Sequence, residues 1–167
     1  MSKGFTLMEL LVVVSLISLF LLLSIPRLQR ILPMDHLGSS VRWIVSTVSE
    51  IKNAAVRNGR YYTLFMDMDN RLIWIAHGSM TKTDISTARK NGYRLPSDVR
   101  ILDVEIPNIR KWPSGTAAIS FSSLGYSSKA LVHLEGKGGN IVSLLIEPFL
   151  SGVGYYERWV SFQDELQ

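Results

Sequence analysis

A single carboxylate at the head of a long apolar run constrains this chain more than any other feature. The run extends from Phe5 to Ile25, with Glu9 as its only charged residue, and from Leu10 to Ile25 it is broken only by Ser15, Ser18 and Ser24. As a helix rising about 1.5 Å per residue it would span roughly 31 Å, the thickness of a bilayer's hydrocarbon core. An ionised side chain at the centre of such a helix costs about 2.5–3.5 kcal/mol, less near the interface. A carboxylate kept there calls for a partner of opposite charge.

Two simple readings leave residues without a role. A secretory signal peptide would use Met1-Ser2-Lys3 as its basic start, but the run closes on Leu23-Ser24-Ile25-Pro26-Arg27, not on a small-x-small cleavage site. A plain membrane anchor accounts for the length and leaves Gly4, Phe5 and Glu9 as accidents.

A third reading uses every residue. The stretch Gly4-Phe5-Thr6-Leu7-Met8-Glu9-Leu10-Leu11-Val12-Val13-Val14 resembles the N-terminal signature of type IV pilins and type II secretion pseudopilins. That resemblance implies a leader of residues 1–4, cleavage by a prepilin peptidase between Gly4 and Phe5, and N-methylation of Phe5. It makes Glu9 the fifth residue of the mature chain, paired with the new amine on Phe5 of a neighbouring subunit. The spacing has a physical basis: cleavage creates an amine that is positive at neutral pH, and in low dielectric a charge left without its counterpart is expensive, so the pair favours one axial step between subunits. Glycine before the cut suits a protease because it lacks a Cβ and lets the enzyme approach the backbone.

Charge does not orient the segment. Lys3 and the initiator amine precede it and Arg27 and Arg30 follow it, which balances the positive-inside bias. A single pass through the bacterial inner membrane with the globular part in the periplasm therefore follows from the resemblance.

Beyond residue 30 nearly 140 of the 167 residues remain, enough for one compact core. The expected organisation is a leader at 1–4, a transmembrane and filament-core helix at 5–30, and a globular domain at 31–167. Without cysteine, disulfide staples, thiol nucleophiles and cysteine metal sites are excluded. The formal net charge is +4, short of a dense nucleic-acid patch. Lys82, Arg89, Lys90, Arg94, Arg100, Arg110 and Lys111 are interleaved with Asp84, Asp98, Asp103 and Glu105, as on a solvated face of mixed sign.

Pro26 should kink the helix after the apolar run; the resemblance implies the same, since pilin-like subunits often carry proline there. Pro33 and Gly38 follow, so the helix either bends onward or restarts behind a serine cap at Ser39-Ser40. The spacing of Val41, Ile44, Val45, Val48, Ile51 and Ala55 predicts an amphipathic helix over 39–58, stopped at Asn58-Gly59.

The remainder reads as short strands between turn signals. Tyr61–Met66 and Arg71–Ala76 form a hairpin around Asp67-Met68-Asp69-Asn70; Gly78 to Arg94 is a polar surface loop. Strands follow at Val99–Glu105, Ala117–Phe121, Ala130–Leu134, Ile141–Ile146 and Tyr155–Phe162. Tight turns make the pairing antiparallel, and a helix packed on one meandering sheet gives an α+β domain. Ile119-Ser120-Phe121-Ser122-Ser123-Leu124-Gly125 and Glu147-Pro148-Phe149-Leu150-Ser151-Gly152 are similar to the C-terminal pattern of H-type minor pseudopilins and related minor pilins.

Catalytic chemistry has no foothold in the sequence. His36, His77 and His133 are far apart and lack second ligands at helical spacing, so neither metal nor cofactor is expected. The Asp67 cluster lacks the central glycine and closing glutamate of a calcium loop and suits a turn. No nucleophile elbow or phosphate loop is present, and Gly154-Tyr155-Tyr156-Glu157-Arg158-Trp159 replaces the short basic motif of DNA-binding minor pilins. Nucleic acid is not an expected partner. The sequence reads as a non-enzymatic minor pseudopilin whose partners are the prepilin peptidase, other pilin or pseudopilin subunits and the inner membrane. A type IV minor pilin in pilus assembly, adhesion or DNA uptake is the alternative, and an anchored binding or enzymatic domain the rival from another class.

Overall fold

A computed structural model describes residues 7–17, 36–107 and 110–162. The chain divides into two compact units, Met1–Asp35 and His36–Gln167. In the first, residues 7–17 form helix α1, with every side chain exposed and Ser15 Oγ donating back to Leu11 O at 2.8 Å. Among the described residues no helix is long and apolar enough to cross a membrane. The rest of the expected span, residues 5–6 and 18–30, and the expected kink at Pro26 lie outside the described residues.

The second unit opens with α2, His36–Asn58, whose buried stripe is Val41, Ile44, Val48, Ile51 and Ala55. No restart occurs at Ser39-Ser40. Both hydroxyls donate to His36 O, at 3.0 and 2.7 Å, so they bond a carbonyl of the same helix instead of capping its amides. The helix already runs from His36, whose Nδ1 lies 2.8 Å from Asp98 Oδ1. It stops where expected: Gly59 has φ +60, and Arg60 N–H donates to Ala55 O at 3.1 Å with Gly59 N–H donating to Val56 O at 3.2 Å, a left-handed C-terminal cap.

Among the described residues nine strands form two antiparallel sheets. These are β1 Tyr62–Asp67, β2 Leu72–His77, β3 Tyr93–Arg94, β4 Arg100–Ile106, β5 Arg110–Trp112, β6 Thr116–Phe121, β7 Ala130–Glu135, β8 Ile141–Ile146 and β9 Val153–Tyr156. The order is β3-β2-β1-β6 in one sheet and β5-β4-β7-β8-β9 in the other. The single meandering sheet of the sequence reading is thereby corrected. After the Trp112–Gly115 break, β6 returns to pair with β1, setting Ile119 opposite Leu64 and Ala117 opposite Met66. The alternation of β6, with Ala117, Ile119 and Phe121 buried, fits the face β1 already turns to the core. Stripe residues of α2 share one core with Leu64, Met66 and Ile73 of the first sheet and Val104, Val132, Leu134, Val142 and Leu144 of the second.

Two further expectations are corrected. The segment Gly78–Arg94 is not a plain loop: it holds helix α3, Lys82–Lys90, with Thr81 and Asp84 forming a reciprocal capping box, and then β3. Gly92 ends the excursion where an added Cβ would lie 2.7 Å from Ile73 O. The last strand ends at Tyr156 and does not continue to Phe162. Beyond it the chain crosses the outer face of the second sheet, where Ser143 Oγ donates to Arg158 O at 2.6 Å and accepts from Val160 N–H at 3.1 Å. A side chain of β8 thus replaces the ladder.

Candidate assembly surfaces

Glu9 lies within α1, between Met8 and Leu10, which are exposed. The helix thus presents an apolar surface with a carboxylate near its start, and an ionisable group in such a setting is costly unless paired. Gly4 and Phe5, the expected cleavage, methylation and charge-pairing positions, lie outside the described residues.

On the globular unit α2 presents two different flanks. One carries Ser49, Lys52 and Val56. Lys52 is 7% exposed; its Nζ donates to Glu147 O at 2.7 Å and to Leu150 O. Burial of the ammonium pushes its pKa below the usual lysine value, partly offset by the Glu147 carboxylate. Ser49 Oγ donates to Ser151 O at 3.3 Å, and Ser127 donates through its backbone N–H to Pro148 O at 3.0 Å and through Oγ to Glu147 O at 3.2 Å. The β8–β9 loop is thus fastened from two sides. What it holds out is apolar: Phe149 is 85% exposed and Leu150 63%. Tyr126, with its ring centroid 6.4 Å from that of Phe149, and Leu124, 80% exposed, continue the patch.

The other flank borders a groove of about 440 Å³ between α2 and the hairpin of β1 and β2. Ile51, Ala54, Tyr62 and Ile75 line it together with the polar Glu50, Asn53 and Arg57.

The buried polar residues of the sheets serve the fold. His133 on β7 is fully buried; Nδ1 lies 2.7 Å from Asp103 Oδ1 and Nε2 2.8 Å from Val160 O. Lys111 Nζ is 3.4 Å from Asp103 Oδ2 and 4.8 Å from the Trp159 ring centroid. His36 is joined to Asp98, and His77 Nδ1 to Ser79 Oγ at 2.8 Å, so the structure brings no two of the three histidines together. Among the described residues no group of three or more His, Cys, Asp or Glu could hold a metal ion.

The Asp67 cluster is a turn. Asp67 Oδ1 accepts from Asn70 N–H at 2.9 Å, Oδ2 accepts from Asn70 Nδ2 at 2.9 Å and from Arg89 Nη2 at 2.9 Å, and Asp69 Oδ2 accepts from Gly115 N–H at 3.0 Å. Burial works against the ionised form of Asp67, but the hydrogen bonds from Asn70 and the Arg89 guanidinium outweigh it and hold the carboxyl below its ordinary range. Sequence reasoning missed both the displayed Phe149-Leu150 pair and the groove. The first was legible as two large apolar residues set between Pro148 and Ser151-Gly152; the second, made by residues from a helix and two strands, was not.

The first unit thus carries an exposed apolar helix with an early carboxylate, and the second an α+β fold with a helix packed on antiparallel sheets. Residues 1–25 match the prokaryotic N-terminal methylation motif. In fold the chain is similar to the minor pseudopilin EpsH from the type 2 secretion system of Vibrio cholerae, with TM-score 0.52 at 13% identity, covering 74% of this chain and 98% of that one. A second structure of that pseudopilin matches with TM-score 0.48 at 14% identity, over 68% of this chain and 95% of the other. No curated protein matches the chain in sequence. The chain therefore carries a prokaryotic N-terminal methylation motif and is similar in fold to a minor pseudopilin.

Proposed function

We propose that the chain is a minor pseudopilin of a type II secretion system, a non-catalytic subunit matured by cleavage after Gly4 and methylation of Phe5. The observation that carries this reading is the methylation motif over residues 1–25 joined to a globular unit of minor-pseudopilin fold. The apolar segment stores the subunit in the inner membrane as a single pass, with the globular unit in the periplasm. On assembly the same surface is buried against neighbouring helices, and the amine of Phe5 meets Glu9 of the next subunit. Partners are thus the prepilin peptidase, sister subunits of a filament or its tip, and the bilayer.

Co-expression with a prepilin peptidase tests the reading. The intact mass should fall by Met1-Ser2-Lys3-Gly4 and rise by one methyl group; a chain that keeps its initiator end under those conditions is a tethered domain of another kind. The motif is common to type IV pilins, so a minor pilin is the second reading. Loss of protein export, as opposed to loss of surface pili, on deleting the chain separates the two.

A further inference from the structure

The polar row beneath segment 157–162 holds a backbone more than it holds any side chain. Ser143 on β8, His133 on β7 and Asp103 on β4 are cross-strand neighbours in one register, so they share the outer face of the second sheet. Ser143 Oγ donates to Arg158 O and accepts from Val160 N–H, and His133 Nε2 donates to Val160 O. Asp103 Oδ1 steadies the imidazole from its other side, 2.7 Å from Nδ1. Three main-chain groups of the crossing segment are thus served by side chains of the sheet, and every polypeptide offers such groups.

Two side chains add selectivity. The Trp159 ring lies on the His133 imidazole with Lys111 Nζ 4.8 Å from its centroid, a seat for an aromatic ring between an imidazole and a cation. Val160 is 5% exposed, whereas Glu157, Arg158 and Trp159 are exposed. Strand pairing stops at Tyr156, so these few side-chain contacts, with Lys129 Nζ 5.3 Å from the Phe162 ring centroid, are what hold the segment. A stretch held in this way opens at lower free energy than the ladders beneath it. β9 stays in place, because the loop before it is fastened by Lys52 and Ser127. A cover with a purely structural role is made more cheaply from apolar side chains, since a buried carboxylate and imidazole carry a desolvation cost.

We propose that this cradle is a peptide-binding site, filled within the chain by residues 158–160. Its outside partner is an extended segment of another polypeptide with an aromatic residue followed by a β-branched aliphatic one. The chain's own segment acts as a resident competitor: seated, it closes the cradle, and a partner segment takes over the same main-chain bonds. Nothing in this requires the N-terminal helix, so the inference stands or falls apart from the filament reading.

A labelled, end-capped peptide of residues Tyr156–Phe162 tests the site by fluorescence anisotropy. The detergent-solubilised full-length chain is titrated as native and as Trp159→Ala/Val160→Gly, which loosens the resident segment. Protection of β1 amides reports that the fold persists, and Trp159→Ala alone takes the place of the double variant if that protection is lost. Saturable binding to the loosened chain is expected, at least about tenfold tighter than to the native chain and than binding of the same peptide carrying Trp159→Ala. Adding Ser143→Ala to the loosened chain should weaken binding about tenfold, since two main-chain bonds go with the hydroxyl. No binding to a folded, loosened chain, equal affinity for the native and loosened chains, or indifference to the peptide's tryptophan and to Ser143 would each overturn the proposal.

Discussion

The imidazole of His133 lies flat against the indole of Trp159, with ring centroids 3.7 Å apart and planes within 4°. The stack closes a small polar assembly on the outer face of the second sheet. Nε2 faces the carbonyl of Val160 and Nδ1 faces a carboxylate oxygen of Asp103. A carbonyl can only accept, so Nε2 donates to Val160 O, and Nδ1 lies within hydrogen-bond distance of the Asp103 carboxyl. Lys111 lies against both Asp103 and the Trp159 ring. These contacts hold the segment after β9 across the sheet.

Removing the imidazole should therefore open the segment before it unfolds the domain. His133→Ala leaves the Asp103 carboxylate buried beside Lys111 alone and is expected to cost about 2–4 kcal/mol. Hydrogen exchange on the detergent-solubilised chain should show the Val160 amide losing protection by a larger factor than amides of β1. Uniform loss across both sheets would mean the segment is an integral part of the core.

Asp67 sets the acid limit of the β1–β2 turn. Its folded pKa is depressed, so its contribution is complete above the ordinary carboxylate value of about 3.9 and is lost as pH falls through the lower folded value. Asp67→Asn, which leaves Arg89 without its anion, is expected to cost about 1–3 kcal/mol at neutral pH and much less at pH 2. Denaturant melts at the two pH values check this; equal costs would show that the carboxylate's charge is idle.

Lys52 gives the same sign in a more alkaline window. Its folded pKa lies below the unfolded value of about 10.4, so the unfolded chain holds the extra proton between the two, and stability at this site rises with pH up to that value. The neutral amine keeps two N–H donors for the two carbonyls it serves. Lys52→Ala should cost about 2–3 kcal/mol and raise exchange at residues 149–151. Lys52→Met restores the stem packing but not the loop's protection. Protection restored by methionine would reduce the lysine to filler.

At the N-terminus, Glu9→Ala is expected to leave membrane insertion intact and impair incorporation into filaments, measured by fractionation and shearing. Gly4→Ala should retain the four-residue leader in the intact mass. Normal co-assembly of the Glu9 variant would remove the charge pairing from the mechanism.

The α2 stripe, its Gly59 stop, the first hairpin, and β7 and β8 were legible because period and turn chemistry agree there. The division into two sheets was not. It depends on β6 choosing the free edge of β1 over its sequence neighbours, a long-range preference that alternation alone does not encode. Helix α3 escaped notice because Ile85 and Ala88 are its only apolar residues, too few to show a period, while the Thr81…Asp84 spacing that starts it was in view. The C-terminal strand was overextended because Tyr155 to Phe162 has strand composition, yet Ser143 and His133 draw its second half across the sheet through contacts that no local pattern announces. Glu9 stood out because it is a charge where none is expected. The groove did not, since it joins residues of a helix and two strands far apart in sequence.

The crossing segment 157–162 also bears on the order in which the domain buries its surface. Leu131, His133 and Leu145 are buried on the sheet face it covers, yet β7 and β8 emerge from a ribosome or translocon before it does. Until Trp159 and Val160 arrive, a greasy surface with a histidine at its centre stays open, ready for a chaperone or for stray association. Only the last stretch of the domain to be synthesised covers that face, so burial of the second sheet is completed last.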